Sequence, residues 1–152
     1  MVSRVSSVRS TPRSSTRFVV LLAAIACGAC SSPAAPSSTG FGPDPYVTAM
    51  TDSGALKIEV RTSPQPPSRG NDTVELTISN ASDGTPVDGL TLDVQPWMPS
   101  MNHGTSAPTI APEGNGKYLV SNVYLFMAGT WQLRTTISGA ATDHAEPAVE
   151  VP

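Results

Sequence analysis

Ten residues, Gln95-Pro96-Trp97-Met98-Pro99-Ser100-Met101-Asn102-His103-Gly104, gather two of the five methionines, one of the two tryptophans and one of the two histidines. A thioether sulfur is a soft, neutral donor that needs no deprotonation, and imidazole is its natural companion around Cu(I). Met127 supplies a further thioether downstream. Outside the cytosol a free cysteine pair risks closing into a disulfide, whereas methionine and histidine persist as soft donors. Met101 and His103 are two residues apart, so an extended segment would turn them the same way. Pro99 holds Met98 in extended backbone and lowers the entropy cost of presenting it. Met98, Met101, His103 and Met127 are therefore candidate copper ligands, three or four of them around an open site. The bland alternative is that Met98 and Met127 fill irregular space at the end of a core, with His103 holding a turn by hydrogen bonding.

Other chemistry is poorly served. There is no G-x-S-x-G elbow, no H-E-x-x-H and no phosphate loop. Ser100 and His103 are close in sequence, but nothing supplies an oxyanion hole or an orienting acid. No enzyme is expected. His144 reads as a solvent-exposed histidine, and its neighbour Asp143 does not make a dyad of the two. The formal charge of −3 hides an asymmetry, because Arg4, Arg9, Arg13 and Arg17 precede the first apolar run. The remainder has five basic residues against twelve acidic ones, a net −7 that repels phosphate backbones. Nucleic acid is not an expected partner.

The N-terminus reads as an export signal. Residues 1–17 are Arg- and Ser-rich without an acid, and Phe18 to Ala26 is continuously apolar. That run is too short to span a bilayer, which takes about twenty residues. It ends in Ala26-Cys27-Gly28-Ala29-Cys30-Ser31 and resembles a bacterial lipoprotein signal, with Cys27 or Cys30 as the lipidated residue. Ala24-Ile25-Ala26 favours Cys27, and the Ser-rich stretch that follows favours Cys30. A simple secretory signal cut at a small-x-small site is the alternative. Neither cysteine lies beyond residue 30, so the folded part can have no thiolate site and no internal disulfide. The expected organisation is a signal over 1–30, a flexible Ser/Pro/Ala-rich tether over 31–53 and a β domain over 54–152. The protein would then be lipid-anchored on the periplasmic side of a bacterial membrane or at the cell surface.

The elements that must position the candidate ligands are strands. Leu56, Ile58 and Val60 alternate with Lys57, Glu59 and Arg61, and Val74, Leu76 and Ile78 repeat the pattern. Leu90, Leu92 and Val94 lead into the Trp97–Gly104 loop. Residues 106–112 form a short edge strand limited by proline. In 117–127 the inward phase shifts near Ser121-Asn122, which predicts a bulge. Ala128-Gly129 predicts a tight hairpin into Trp131, Leu133, Thr135 and Ile137, and Val149 and Val151 belong to a last strand. No stretch keeps a helical period. The expected fold is an all-β, immunoglobulin-like β-sandwich of about seven antiparallel strands. Trp131 and the aliphatic residues form its core. Trp97 belongs either to that core or to an exposed binding surface. Counting strand directions brings Met127 to the same end as Met98, Met101 and His103, and sends His144 to the opposite end.

Three stretches resemble the YtkA-like domain family. They are Leu56-Lys57-Ile58-Glu59-Val60 with Ser63-Pro64; Trp97-Met98-Pro99 through Met101 and His103-Gly104; and Gly116-Lys117-Tyr118 through Phe126-Met127-Ala128-Gly129-Thr130-Trp131. The resemblance covers roughly residues 54–138. It implies an immunoglobulin-like sandwich on exported or membrane-tethered bacterial proteins, with a suggested tie to copper handling. Asn102 stands where the family often has glycine, and asparagine tolerates left-handed φ. The functional expectation is a membrane-tethered copper-binding module. The alternative is a metal-free scaffold whose Trp97 and Pro-rich loop contact an envelope protein partner.

Overall fold

Alternation of apolar and polar side chains builds nearly every strand, because successive residues face opposite sides of a sheet. In β2 (Leu56–Ser63), Leu56, Ile58, Val60 and Thr62 are buried while the residues between them are half-buried. The computed structural model describes residues 40–152. The expected signal, Cys27, Cys30 and residues 31–39 of the expected tether lie outside the described residues. Among the described residues no helix is long and apolar enough to cross a membrane.

Among the described residues ten strands form two antiparallel sheets. One has the order β1-β2-β3-β7-β6, where β1 is Val47–Met50, β3 Gly70–Asn80, β6 Thr109–Gly114 and β7 Lys117–Leu125. The other has the order β10-β8-β4-β5, with β4 Leu90–Met98, β5 His103–Gly104, β8 Gly129–Gly139 and β10 Ala148–Val151; β9 (Asp143–Ala145) pairs with β8. The immunoglobulin-like sandwich is as expected, and its main strands are β2, β3, β4, β6, β7, β8 and β10. Short β1, β5 and β9 raise the count above seven. Each has four residues or fewer, too short for a periodic signal.

Between the sheets, Trp131, Ile58, Leu76, Val60, Ile137 and Val123 are completely buried, with Tyr118 and Met98 nearly so. Each such side chain stabilises the fold by about 1.5–3 kcal/mol through lost water contact. The Tyr118 hydroxyl donates to the Val87 carbonyl and accepts from the Leu90 amide, so its burial leaves no polar atom stranded. The expected bulge is present. Asp72 faces Val123 and Val74 faces Val120, so Ser121 and Asn122 together oppose a single residue. Asn122 takes a φ of +64°, which lets both Tyr118/Val120 and Val123/Leu125 face inward.

Two expectations need correction. The sandwich begins before residue 54, because β1 pairs with β2 from Val47↔Val60 to Met50↔Lys57 within the stretch expected to be tether. Tyr46 also donates its backbone N–H to the Val60 carbonyl at 2.7 Å. Ala128-Gly129 is not a hairpin either. β7 and β8 belong to different sheets, so the connection is an arch across the end of the sandwich. Leu125 and Trp131 flank it, both buried and pointing into the core from opposite sheets, rather than pairing across a ladder.

Candidate metal centre

The inward phase of β4 runs through Leu92, Val94, Pro96 and Met98, which leaves Trp97 on the outer face. There the Arg134 guanidinium sits 4.6 Å from the centre of the Trp97 ring, a cation–π contact on the sheet surface. Trp97 is thus no part of the core. Pro99 ends β4 by opening a single 3-10 turn, Pro99–Met101, and Asn102 closes it with φ 52° and ψ 42°. The chain reverses, and β5 returns along β4 with Met98 opposite His103 and Trp97 opposite Gly104. Directly opposed residues of an antiparallel pair project to the same face. The reversal therefore makes neighbours of Met98 and His103.

Two features hold β5 in place. A Cβ on Gly104 would lie 2.7 Å from the Pro96 carbonyl oxygen and 3.0 Å from Trp97 Cε3, so only glycine allows this close approach. The Gln95 side-chain amide donates to the Thr105 carbonyl, and the Thr105 N–H donates to the Pro96 carbonyl at 3.1 Å.

His103 is half-buried in an aromatic corner. Its ring stacks on Phe126 at 5.3 Å and 21°, and Trp131 meets it edge-on at 6.3 Å and 81°. Tyr124 continues the stack beyond Phe126 at 5.9 Å. The imidazole Nε2 is shielded from solvent and has no hydrogen-bond partner among the described residues. A buried polar atom left without a partner costs about 1–3 kcal/mol.

The three methionines occupy different settings. Met98 is 2% exposed and Met101 is 53% exposed. Met127 is half-buried, packs against the core, and accepts the Trp131 indole N–H at its backbone carbonyl at 3.0 Å. The Met98 methyl lies 3.7 Å from where a Gly129 Cβ would be, at the foot of the arch that carries Met127. Met98, His103 and the arch with Met127 thus share one end of the sandwich. The segment from Met101 to His103 is not extended, so the condition for the two to face the same way is not met. The 3-10 turn and the left-handed Asn102 break the two-residue alternation between them.

The donor set suits a soft metal. His103, whose ring nitrogen is shielded from solvent and without a hydrogen-bond partner among the described residues, is paired in register with the thioether residue Met98. Among the described residues no three His, Cys, Asp or Glu side chains come together. Phe126 and Gln95 lie in stretches the sequence marks but are not among its candidate ligands or binding residues. Phe126 offers a signal, an aromatic residue one place before Met127; Gln95 offers none, because its side chain acts only once β5 has folded back.

At the far end of the sandwich His144 lies on β9, and its Nδ1 is 3.3 Å from the Asp52 carboxylate. The two histidines do sit at opposite ends. Asp143 serves a different turn, accepting the Ser53 hydroxyl and backbone N–H. Hydrogen bonds, the Ser53 hydroxyl's foremost and then those of the Thr51 side chain and the His144 and Ser53 amides, hold the Asp143 carboxyl down from its ordinary 3.8 to about 2.

A family model described as YtkA-like matches residues 51–136. The chain belongs to the YtkA-like family. The YtkA-like stretch runs from the β1–β2 turn into β8, and so includes the whole Trp97–Gly104 reversal and the Phe126–Gly129 arch. Comparison with curated proteins returns no match. Among solved structures, a copper-bound variant of FetP from uropathogenic Escherichia coli is similar over 70% of this chain and 94% of that chain, at 8% identity and a TM-score of 0.45.

Proposed function

We propose that this YtkA-like chain is an extracytoplasmic, membrane-tethered copper module that binds Cu(I) through Met98, His103 and Met127, with Met101 at the rim. The observation that carries the proposal is the solvent-shielded His103 Nε2, without a partner among the described residues, on a residue paired in register with buried Met98. Bound copper would be held by sulfur and nitrogen alone and would pass on by ligand exchange. Cys27 or Cys30 would carry the lipid anchor, and the protein would act by binding, without catalysis. Titration of the chain from residue 40 onward with Cu(I) against a competing chelator tests this. One equivalent should bind, and His103→Phe and Met98→Leu should each weaken it at least tenfold. Failure of the parent chain to compete for Cu(I) removes the proposal. A metal-free scaffold is the second reading, favoured by the exposure of Tyr124 (45%) and Phe126 (38%), an aromatic surface fit for a protein partner.

A further inference from the structure

The two sheets do not close against each other on the side where β4 and β6 lie. β4 pairs with β8 from Leu90 to Trp97, but on its other side it pairs with β5 only at Trp97 and Met98. The Pro96 carbonyl accepts from Thr105 and the Leu90 N–H donates to the Tyr118 hydroxyl, so both residues direct backbone groups away from β8. The alternation of an antiparallel ladder turns the N–H and C=O of Leu92 and Val94 the same way. Among the described residues no strand stands there to receive them. β6 is the edge of the other sheet, and between it and β4 opens a cleft of about 280 Å³ lined by Leu90, Thr91, Leu92, Ile110, Pro112 and Tyr118.

We infer that this open edge is a strand-acceptor site, where an extended segment of a protein partner pairs with Leu90–Val94 and lays alternate apolar side chains into the cleft. Main-chain pairing with a free edge gives affinity, and the cleft beside it gives selectivity. The charges on these strands and at the turn below them set the partner's sign. Asp88, Asp93 and Glu113 are exposed, and none is in an ion pair among the described residues. Neither β4 nor β6 carries a lysine or arginine. A segment flanked by lysine or arginine is complementary to them. A second copy of this chain, with the same unpaired carboxylates and a net charge of −7 beyond residue 17, is repelled.

Amide hydrogen exchange on the chain from residue 40 onward tests the site directly. In the free protein the Leu92 and Val94 amides should exchange at least tenfold faster than those of Asp93 and Gln95, which face β8. A synthetic nonapeptide of alternating valine and threonine with two lysines at each end should slow Leu92 and Val94 saturably, by tenfold or more. The same peptide with glutamates in place of lysines should not. Asp93→Lys, a change at an exposed position, should weaken the lysine peptide and leave the fold intact. Slow exchange of Leu92 and Val94 in the free chain overturns the inference, as does equal binding of the two peptides or protection mapped to β10. Protection that rises with protein concentration alone would make a second copy the occupant and overturn it equally. None of these measurements involves copper, so their outcome is separate from that of the metal titration.

Discussion

Met98 and His103 stand opposite each other across the β4–β5 ladder, one sealed at 2% exposure and the other with a buried ring nitrogen that no described residue satisfies. Packing alone accounts for the methionine. It does not account for a nitrogen held away from water at a cost of about 1–3 kcal/mol.

The His103 nitrogen and the His103 ring should separate by mutation. His103→Phe keeps a ring to stack on Phe126 and removes the unsatisfied nitrogen, so the metal-free protein should be as stable as the parent or more so. His103→Ala also loses the stack, worth about 0.5–1.5 kcal/mol, and should melt a few degrees lower. Copper binding should be lost in both. Thermal melts with and without Cu(I) read both effects, and retention of the copper-induced rise in Tm by His103→Phe would count against the nitrogen as ligand.

The buried and exposed methionines should behave differently. Met98→Ala empties a core position and should cost about 2–5 kcal/mol, whereas Met101→Ala should change stability by less than about 0.5 kcal/mol. Met98→Leu nearly conserves volume and should cost less than about 1.5 kcal/mol while removing the sulfur. Urea midpoints give the stability order. A Met101→Ala variant as damaged as Met98→Ala would contradict the exposure of Met101.

Gly104→Ala should dislodge β5. Its new Cβ meets the Pro96 carbonyl oxygen and the Trp97 ring, neither of which can yield without breaking the reversal. A loss of about 1–3 kcal/mol is expected, together with a weakened Phe126–His103 contact. Changes in the His103 and Phe126 ring proton shifts would report it, and an unchanged spectrum would contradict the tight approach.

Acid should act at the opposite end of the sandwich. The Asp143 carboxyl is lowered to about 2 in the folded chain from an ordinary 3.8. A lowered folded value means its stabilisation is complete above about pH 4 and is lost as pH falls toward 2. Removing the Ser53 hydroxyl with Ser53→Ala removes part of that contribution, so the variant should be less stable than the parent at pH 7, with the gap closing as pH falls toward 2. Acid titration followed by circular dichroism checks the direction, and identical acid profiles would contradict it.

Much of this protein is written locally in its sequence. The apolar alternation of Leu56–Val60, Val74–Ile78 and Leu90–Val94 determines strands because side chains alternate faces every residue. The phase slip at Ser121-Asn122 determines a bulge for the same reason, and Asn102 supplies a residue that accepts left-handed φ. The partner of each strand is not a local property. Phe126–Gly129 would look alike as a hairpin or as an arch, and only the demand that Leu125 and Trp131 bury themselves from opposite sheets chose the arch. Likewise the 3-10 turn parted Met101 from His103, and the return of β5 along β4 set His103 beside Met98 and under Phe126. Those neighbours, and the burial of one imidazole nitrogen, follow from how distant strands stack, which no single stretch of sequence encodes.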